Sequence, residues 1–465
     1  MLRSNPIVLG LVLTGLFAVT QTANAAPPSP QDADPHTQNV HEMGHDLQEG
    51  TFEVPDGQRT VSSDIAFQGE IAYQGNYNGF RVINISAPGN PKLITETECN
   101  GDQGDLVVWD NILIRTWNTK RSEDRACGGT IVPAGFEGIH IWDIGDPANP
   151  QLLGALELPC GSHTASAAGV DGDDLIVYSN ISSSSGCGVG LDRAGQDALG
   201  DFMDVIAVPL NNPGAASLIH RVPLAGPADP SVRSGCHDAG VILGDVNKAA
   251  CASADTINVF DITDPRAPAL LFTITEPGVG QGGRWHSAAF TWDGEVIVGG
   301  WEPGGGGAAE CEATDPEVKK SLFFYDANTG AKLGQWVLPR AQGADENCTM
   351  HNFNVVPLRS GRHVTVSGNY QGGTWVTDFT DPANPVTVGW SDPESLGPGS
   401  FCGGLCQIGG AWSTYWYNNF VYESDITAGL QIYNLSDSAR AGAMRLPRLN
   451  PQTQEFTITP KGKRR

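Results

Sequence analysis

The chain has 465 residues, a formal net charge of −25, 58 glycines, 31 prolines and 10 cysteines. That acidity excludes nucleic acid and anionic membrane surfaces as partners and leaves cations and neutral ligands. Length alone fits two or three ordinary domains or one large repeat array, so the pattern along the chain has to decide.

The first residues read as an export signal spanning 1–25. Arg3 supplies the positive start, Ile7 to Val19 the apolar stretch, and Ala23-Asn24-Ala25 a small-residue cleavage site. That apolar run is too short for a membrane span, and no later segment is apolar for long enough. The expectation is a protein secreted to the periplasm or the cell exterior, without a transmembrane segment. Ten cysteines behind such a signal imply disulfides, and they fall in local couples: Cys99 and Cys127, Cys160 and Cys187, Cys236 and Cys251, Cys311 and Cys348, Cys402 and Cys406. Pairing within each couple is expected.

Residues 26–60 form a Pro/Asp-rich lead-in. Within it, His41-Glu-Met-Gly-His45 matches the H-E-x-x-H pattern of zinc peptidases. That chemistry needs a helix with both rings on one face, and here a β array follows, so the segment reads as a lead-in strand or loop packed on the main body.

A phrase then recurs. Gly79-Phe-Arg-Val-Ile-Asn-Ile-Ser-Ala-Pro-Gly-Asn-Pro is followed by Gly138-Ile-His-Ile-Trp-Asp-Ile-Gly-Asp-Pro-Ala-Asn-Pro, with further copies at Ile257, Thr374 and Gly429 and degenerate ones near Phe202 and Leu322. The copies lie roughly 60 residues apart, a period that points to a propeller. Each is an alternating, half-buried strand closed by an Asp-Pro turn. A second strand starts near Leu152, Leu270 or Val386. Two more are joined by tight turns such as Asp171-Gly172, Asp293-Gly294 and Asn418-Asn419, giving about four strands per unit. Val61 to Tyr77 holds two strands with no phrase before them, and the phrase at Gly429 has no strand pair after it. Joining these ends as a composite blade predicts an all-β, seven-bladed propeller over 61–440, followed by a tail over 441–465 with a basic end.

Aligning the units on their turns brings out His163, His237, His286 and His351. Each sits about seven or eight residues before that turn, at the start of the strand that lines a propeller's channel. The matching positions in the other blades fall near Ser62, Gln103 and Ala411. Neutral imidazoles in register suit copper, zinc or iron, and an incomplete ring leaves room for water or substrate. Asp238, Glu302 and Asp425 are the nearby carboxylates that would orient the rings or serve as a base. The cysteines beside His163, His237 and His351 read as loop-stiffening disulfides. Gly304 to Gly307 reads as a loop at the channel mouth.

These residues resemble the LVIVD-repeat proteins, a family of exported bacterial propellers. The resemblance extends to Cys236-His237-Asp238, Trp285-His286-Ser287-Ala288, Glu346-Asn347-Cys348, His351-Asn352, Tyr370-Gln-Gly-Gly373 and Gly44-His45-Asp46-Leu47. It implies the fold and no particular activity. Two functions stay open: a binding module offering its channel mouth to a small molecule, glycan or protein, and a metal-dependent oxidase or hydrolase using the same histidines.

Overall fold

The computed structural model describes residues 35–47, 61–101, 103–118, 120–181, 201–225, 235–279, 283–303, 310–344, 346–392 and 410–459. The export signal, the glycine run, Cys187, Cys402 and Cys406 lie outside these residues.

Seven antiparallel blades follow one another along the chain. Blade 1 consists of Ser62–Gln68, Ile71–Asn76, Gly79–Asn84 and Lys92–Glu98. The innermost strands of blades 2 to 7 are Leu106–Trp109, Thr164–Asp171, Asp238–Ile242, Gly283–Phe290, Asn352–Val355 and Ala411–Tyr417. Each innermost strand touches the next, and the seventh touches the first, so the ring is closed. Among the described residues, no helix is long and apolar enough to cross a membrane.

The repeat phrase forms the third strand of each blade, and its chemistry explains the turn that ends it. Asp143 Oδ1 accepts from the Gly145 N–H, Asp261 Oδ1 from Thr263 and Asp378 Oδ1 from Thr380. The following Asp146, Asp264 and Asp381 repeat the device on Ala148, Arg266 and Ala383. Glycine opens the phrase for a steric reason. Gly79 and Gly138 have φ of 152° and 145°, and a Cβ there would lie 1.8 Å from the Thr97 carbonyl oxygen and 2.0 Å from that of Leu156. The core lies between blades, where flat aromatic rings fill wedge-shaped gaps. Phe80 meets Trp142 edge-on at 5.2 Å between blades 1 and 2, and Phe324 stacks on Phe379 at 4.4 Å between blades 5 and 6.

The composite blade is present, but its N-terminal part differs from the expected strands. Val61 to Tyr77 belongs with the phrase at Gly79 in blade 1. The outer strand of blade 7 is Val40–Leu47, paired antiparallel with Gly429–Leu435. Every blade carries a bulge between its third and fourth strands. Examples are Val82/Ile83 in blade 1 and Val376/Thr377 in blade 6, and the shift at Glu42/Gly44 marks Val40–Leu47 as the seventh fourth strand. His41-Glu-Met-Gly-His45 is therefore a bulged strand, with His45 Nδ1 2.6 Å from Glu42 Oε1, and it lacks a helical face.

The C-terminal segment crosses the channel at the far ends of the innermost strands. Arg448–Leu449 pairs with Ser62–Gln68, and Thr453–Gln454 pairs in parallel with Asp238–Ile242. Asn450 Nδ2 donates to Val108 O, and its Oδ1 accepts from Val108 N, both at 2.8 Å. Thr453 Oγ1 donates to Ala167 O, and Gln454 Nε2 to Phe290 O. Disulfides join Cys99 to Cys127, Cys236 to Cys251 and Cys311 to Cys348, the expected neighbours and a set that fits an oxidising compartment.

Candidate metal centre

His163, His237, His286 and His351 come from consecutive blades, 3 to 6, at the channel end opposite the C-terminal segment. Backbone pairing fixes three of them just ahead of a strand: His163 N donates to Asn180 O, His237 N to Ala252 O and His351 N to Gly368 O. His286 is the extra residue of a bulge between Trp285 and Ser287. All four are buried. Their ring centroids follow one another at 4.1, 4.2 and 3.9 Å, so the rings form an arc. Gln103 stands at one end, its Nε2 3.2 Å from His163 Nδ1, and Trp412 closes the other, its ring 4.9 Å from that of His351.

Each ring from His237 onward leans on the next blade. His237 Nδ1 donates to His286 O at 3.3 Å, His286 Nδ1 to His351 O at 3.1 Å, and His351 Nδ1 to Trp412 O. A carbonyl only accepts, so the proton sits on Nδ1 and Nε2 keeps its lone pair. Backbone carbonyls thus orient these rings, the task the sequence assigned to carboxylates. Ligand atoms of His163, His237 and His286 lie within 4.8 Å of one another, as do those of His286, Glu302 and His351. The two triads share His286. A third grouping, Cys99, Cys127 and His140, has both sulfurs committed to a disulfide.

Burial keeps the imidazoles neutral. It holds His163 and His351 down to about 3 and pushes His237 and His286 well below the ordinary range; for His163, His237 and His286, Arg284 and neighbouring rings add to the effect. Neutral nitrogen is what a transition metal requires.

Of the three carboxylates singled out from sequence, Glu302 lies beside the arc. It accepts from the Tyr370 hydroxyl at 3.2 Å and faces Arg284 Nε at 3.5 Å. Burial raises its pKa, opposed by the Arg284 charge and the Tyr370 hydrogen bond. Asp238 sits one layer deeper, where Thr164 Oγ1 donates to it at 3.4 Å. Asp425 caps a turn of blade 7, accepting from the Thr427 and Ala428 N–H groups.

Tyr370 and Arg284 were not singled out as site residues. Arg284 lies two positions before His286 and pairs across the strands with Glu302. Tyr370 has φ of 46°, rare for an aromatic residue, and its ring lies 4.2 Å from that of His351. Nothing in its local sequence signals that conformation. The disulfides reach the arc directly: Cys236 adjoins His237, and Cys348 lies three residues before His351.

The LVIVD repeat family matches residues 61–98, the span of blade 1, so the chain carries an LVIVD repeat within its propeller. No curated protein matches the sequence. Among solved structures, Sqt1 from Saccharomyces cerevisiae is 10% identical over 87% of this chain and 87% of its own, with a TM-score of 0.50. A chain of the Mitotic Checkpoint Complex is 11% identical over 93% of this chain and 100% of its own, also with a TM-score of 0.50. These likenesses concern the propeller fold.

Proposed function

We propose that the chain is an exported binding module whose channel holds a transition-metal ion, copper or zinc, on the histidine arc and offers it to a small ligand at the mouth. The single observation that carries this reading is the relay of Nδ1-to-carbonyl hydrogen bonds, which leaves the Nε2 lone pairs of His237, His286 and His351 available. Four buried, neutral imidazoles in one arc are hard to account for as packing, because apolar residues would fill the same space at lower desolvation cost. His163, His237 and His286 form one ligand set, with His163 Nδ1 exchanging its Gln103 contact for the ion; His351 and Glu302, sharing His286, form the other. A bound metal would supply Lewis acidity or a redox couple. Export and a mouth open to small molecules, glycans or a protein loop belong to the same proposal, supported by the disulfides and the closed ring.

A metal-dependent oxidase or hydrolase is the second reading. One observation favours it: Glu302, Tyr370 and Arg284 place a proton acceptor, a proton donor and a cation against the arc. Turnover that chelation abolishes would select it over the binding module.

The test is metal analysis of the mature protein produced in the periplasm, beside the His286→Ala/His351→Ala double variant. The expected result is about one copper or zinc ion per chain, lost in the variant. Equal metal content in both proteins, or none after reconstitution, overturns the reading.

A further inference from the structure

Directly beneath the arc lies a second polar layer. The residue after each histidine is Thr164, Asp238, Ser287 or Asn352, and Asp64 and Asp105 complete the layer from blades 1 and 2. All three aspartates are almost wholly buried, at 2 to 3% exposure. Asp64 accepts from Tyr415 Oη at 2.8 Å, Gln452 Nε2 at 3.0 Å and Asn352 Nδ2 at 3.3 Å. Asp105 Oδ2 accepts from the Ala165 N–H at 2.7 Å.

These partners leave two oxygens over. Asp105 Oδ1 and Gln452 Oε1 are both buried and have no hydrogen-bond partner. Because the amide nitrogen of Gln452 bonds to Asp64, its bare carbonyl oxygen is held at the same cluster. An acceptor stranded in a protein interior is costly, and a carboxylate oxygen more so than an amide. The three carboxylates also feel one another: the charges of Asp64 and Asp238 add to burial in raising Asp105 well above the carboxylate range. The groups bonded to them are hydroxyls, amides and backbone N–H groups. The layer is therefore rich in oxygen groups, and because its raised pKa favours the neutral acid, Asp105 would ionise fully only with a cation beside it.

We propose that this layer binds a hard divalent cation, Ca²⁺, on the channel axis, between the histidine arc above and the C-terminal segment below. Calcium takes 6–8 oxygen ligands from carboxylates, amide carbonyls and water, and Asp64, Asp105, Asp238 and Gln452 offer the first two kinds. The three carboxylates are not among the groupings whose ligand atoms lie within 4.8 Å of one another, so the ion would have to draw them together or take up water as well. Oxygen-only chemistry separates this site from the imidazole site, and the chain's charge of −25 favours cation uptake. Gln452 belongs to the C-terminal segment, so the ion would tie that segment to blades 1, 2 and 4.

The experiment is calcium titration of the full mature protein after chelation, followed by calorimetry and thermal unfolding. Saturable binding tighter than about 1 mM with a rise in Tm is expected, weakened at least ~10-fold in Asp105→Asn. The His286→Ala/His351→Ala variant should bind calcium like wild type, so failure of the metal arc and failure of this site are separable. Should Asp105→Asn not fold, Asp238→Asn and the calcium content of dialysed wild type give the same reading. No heat, no Tm shift and no retained calcium in wild type would overturn the proposal. So would an Asp105→Asn variant that binds calcium unchanged, or a Tm gain in Asp105→Asn combined with calcium indifference in wild type, which would mean the carboxyls are simply protonated.

Discussion

His140 is buried between Trp117 and Phe136, with ring centroids at 5.3 and 4.8 Å, and its Nδ1 has no hydrogen-bond partner. Burial, helped by the Arg115 charge, lowers its pKa to about 3. The unfolded chain takes up the proton near 6.5, so the stability contributed by a neutral ring is present above that value and is lost as pH falls toward 3. By this linkage one such ring costs about 2 kcal/mol at pH 5 relative to pH 7. His140→Phe keeps an aromatic ring without the proton site. Its unfolding free energy should therefore fall about 2 kcal/mol less than that of wild type between pH 7 and 5, as read by denaturant titration. An equal fall in both proteins would mean that the ring titrates in the folded state. The contrast with the arc is instructive. His140 lies in the repeat phrase, on the third strand, whereas His163, His237, His286 and His351 share a register on the first. Register alone, visible in the sequence, separated the four from the fifth. Which nitrogen each ring would offer was not visible, because the acceptors are carbonyls one blade away.

The outer strands are held by a device that repeats around the ring. After each bulge the fourth strand reaches a residue that, in several blades, is a glycine receiving the turn of the next blade. A Cβ on Gly334 would lie 1.8 Å from Pro382 O, on Gly154 2.7 Å from Gly214 O, and on Gly44 2.3 Å from Pro88 O. The last of these is the seam where blade 7 meets blade 1. A buried Arg81 guanidinium reinforces it, donating to the Asp46 carboxylate across the seam and to Gln74 Oε1 at 2.9 Å. Gly44→Val would force the turn at Pro88 away and lift Val40–Leu47. The cost should be about 1–3 kcal/mol of stability, with proteolysis within residues 36–47 appearing before the rest of the fold gives way. Asp46→Ala should cost about 3–5 kcal/mol, since it leaves a buried guanidinium with an unpaired charge. Thermal unfolding of both variants checks this; Tm values equal to wild type would show that the seam carries little of the closure. The phrase, its Asp-Pro turns and the count of seven could be read along the chain because they are local. The partnership of Val40–Leu47 with Gly429–Leu435 could not, since the two strands lie at opposite ends of the sequence and pair only once the ring has formed.

At the scale of the whole molecule the channel end away from the arc is covered by residues 446–459. The covering segment does more than fill space. Innermost strands of a propeller have a free edge toward the axis, and here that edge is satisfied by the tail: Val108 N donates to Asn450 Oδ1, Val241 N to Gln452 O at 2.7 Å and Leu243 N to Gln454 O at 2.9 Å. In composition only the terminal Lys/Arg cluster of the tail stands out. The Asn, Gln and Thr side chains that reach into blades 1, 2, 3 and 5 look like any polar loop until a channel is there to receive them. Removal of residues 446–465 should leave the ring closed, because contacts between innermost strands run round it without the tail. It should nonetheless return those amides to water, and with side-chain bonds from Thr453 and Gln454 also lost, at about 0.5–1.5 kcal/mol each, the loss should reach about 3–6 kcal/mol. Hydrogen exchange gives the sharper reading. Amides at Val108, Val241 and Leu243 should exchange far faster in the truncated protein, while the His163 amide, bonded to Asn180 O at the opposite end, should keep its protection. Uniformly faster exchange would mean that the tail holds the ring together; unchanged exchange at Val108 and Val241 would mean that it does not cover the axis in solution. Selective exposure at the tail end would mean that residues 446–459 close the channel on that side, so that any ligand of the arc arrives from the histidine side.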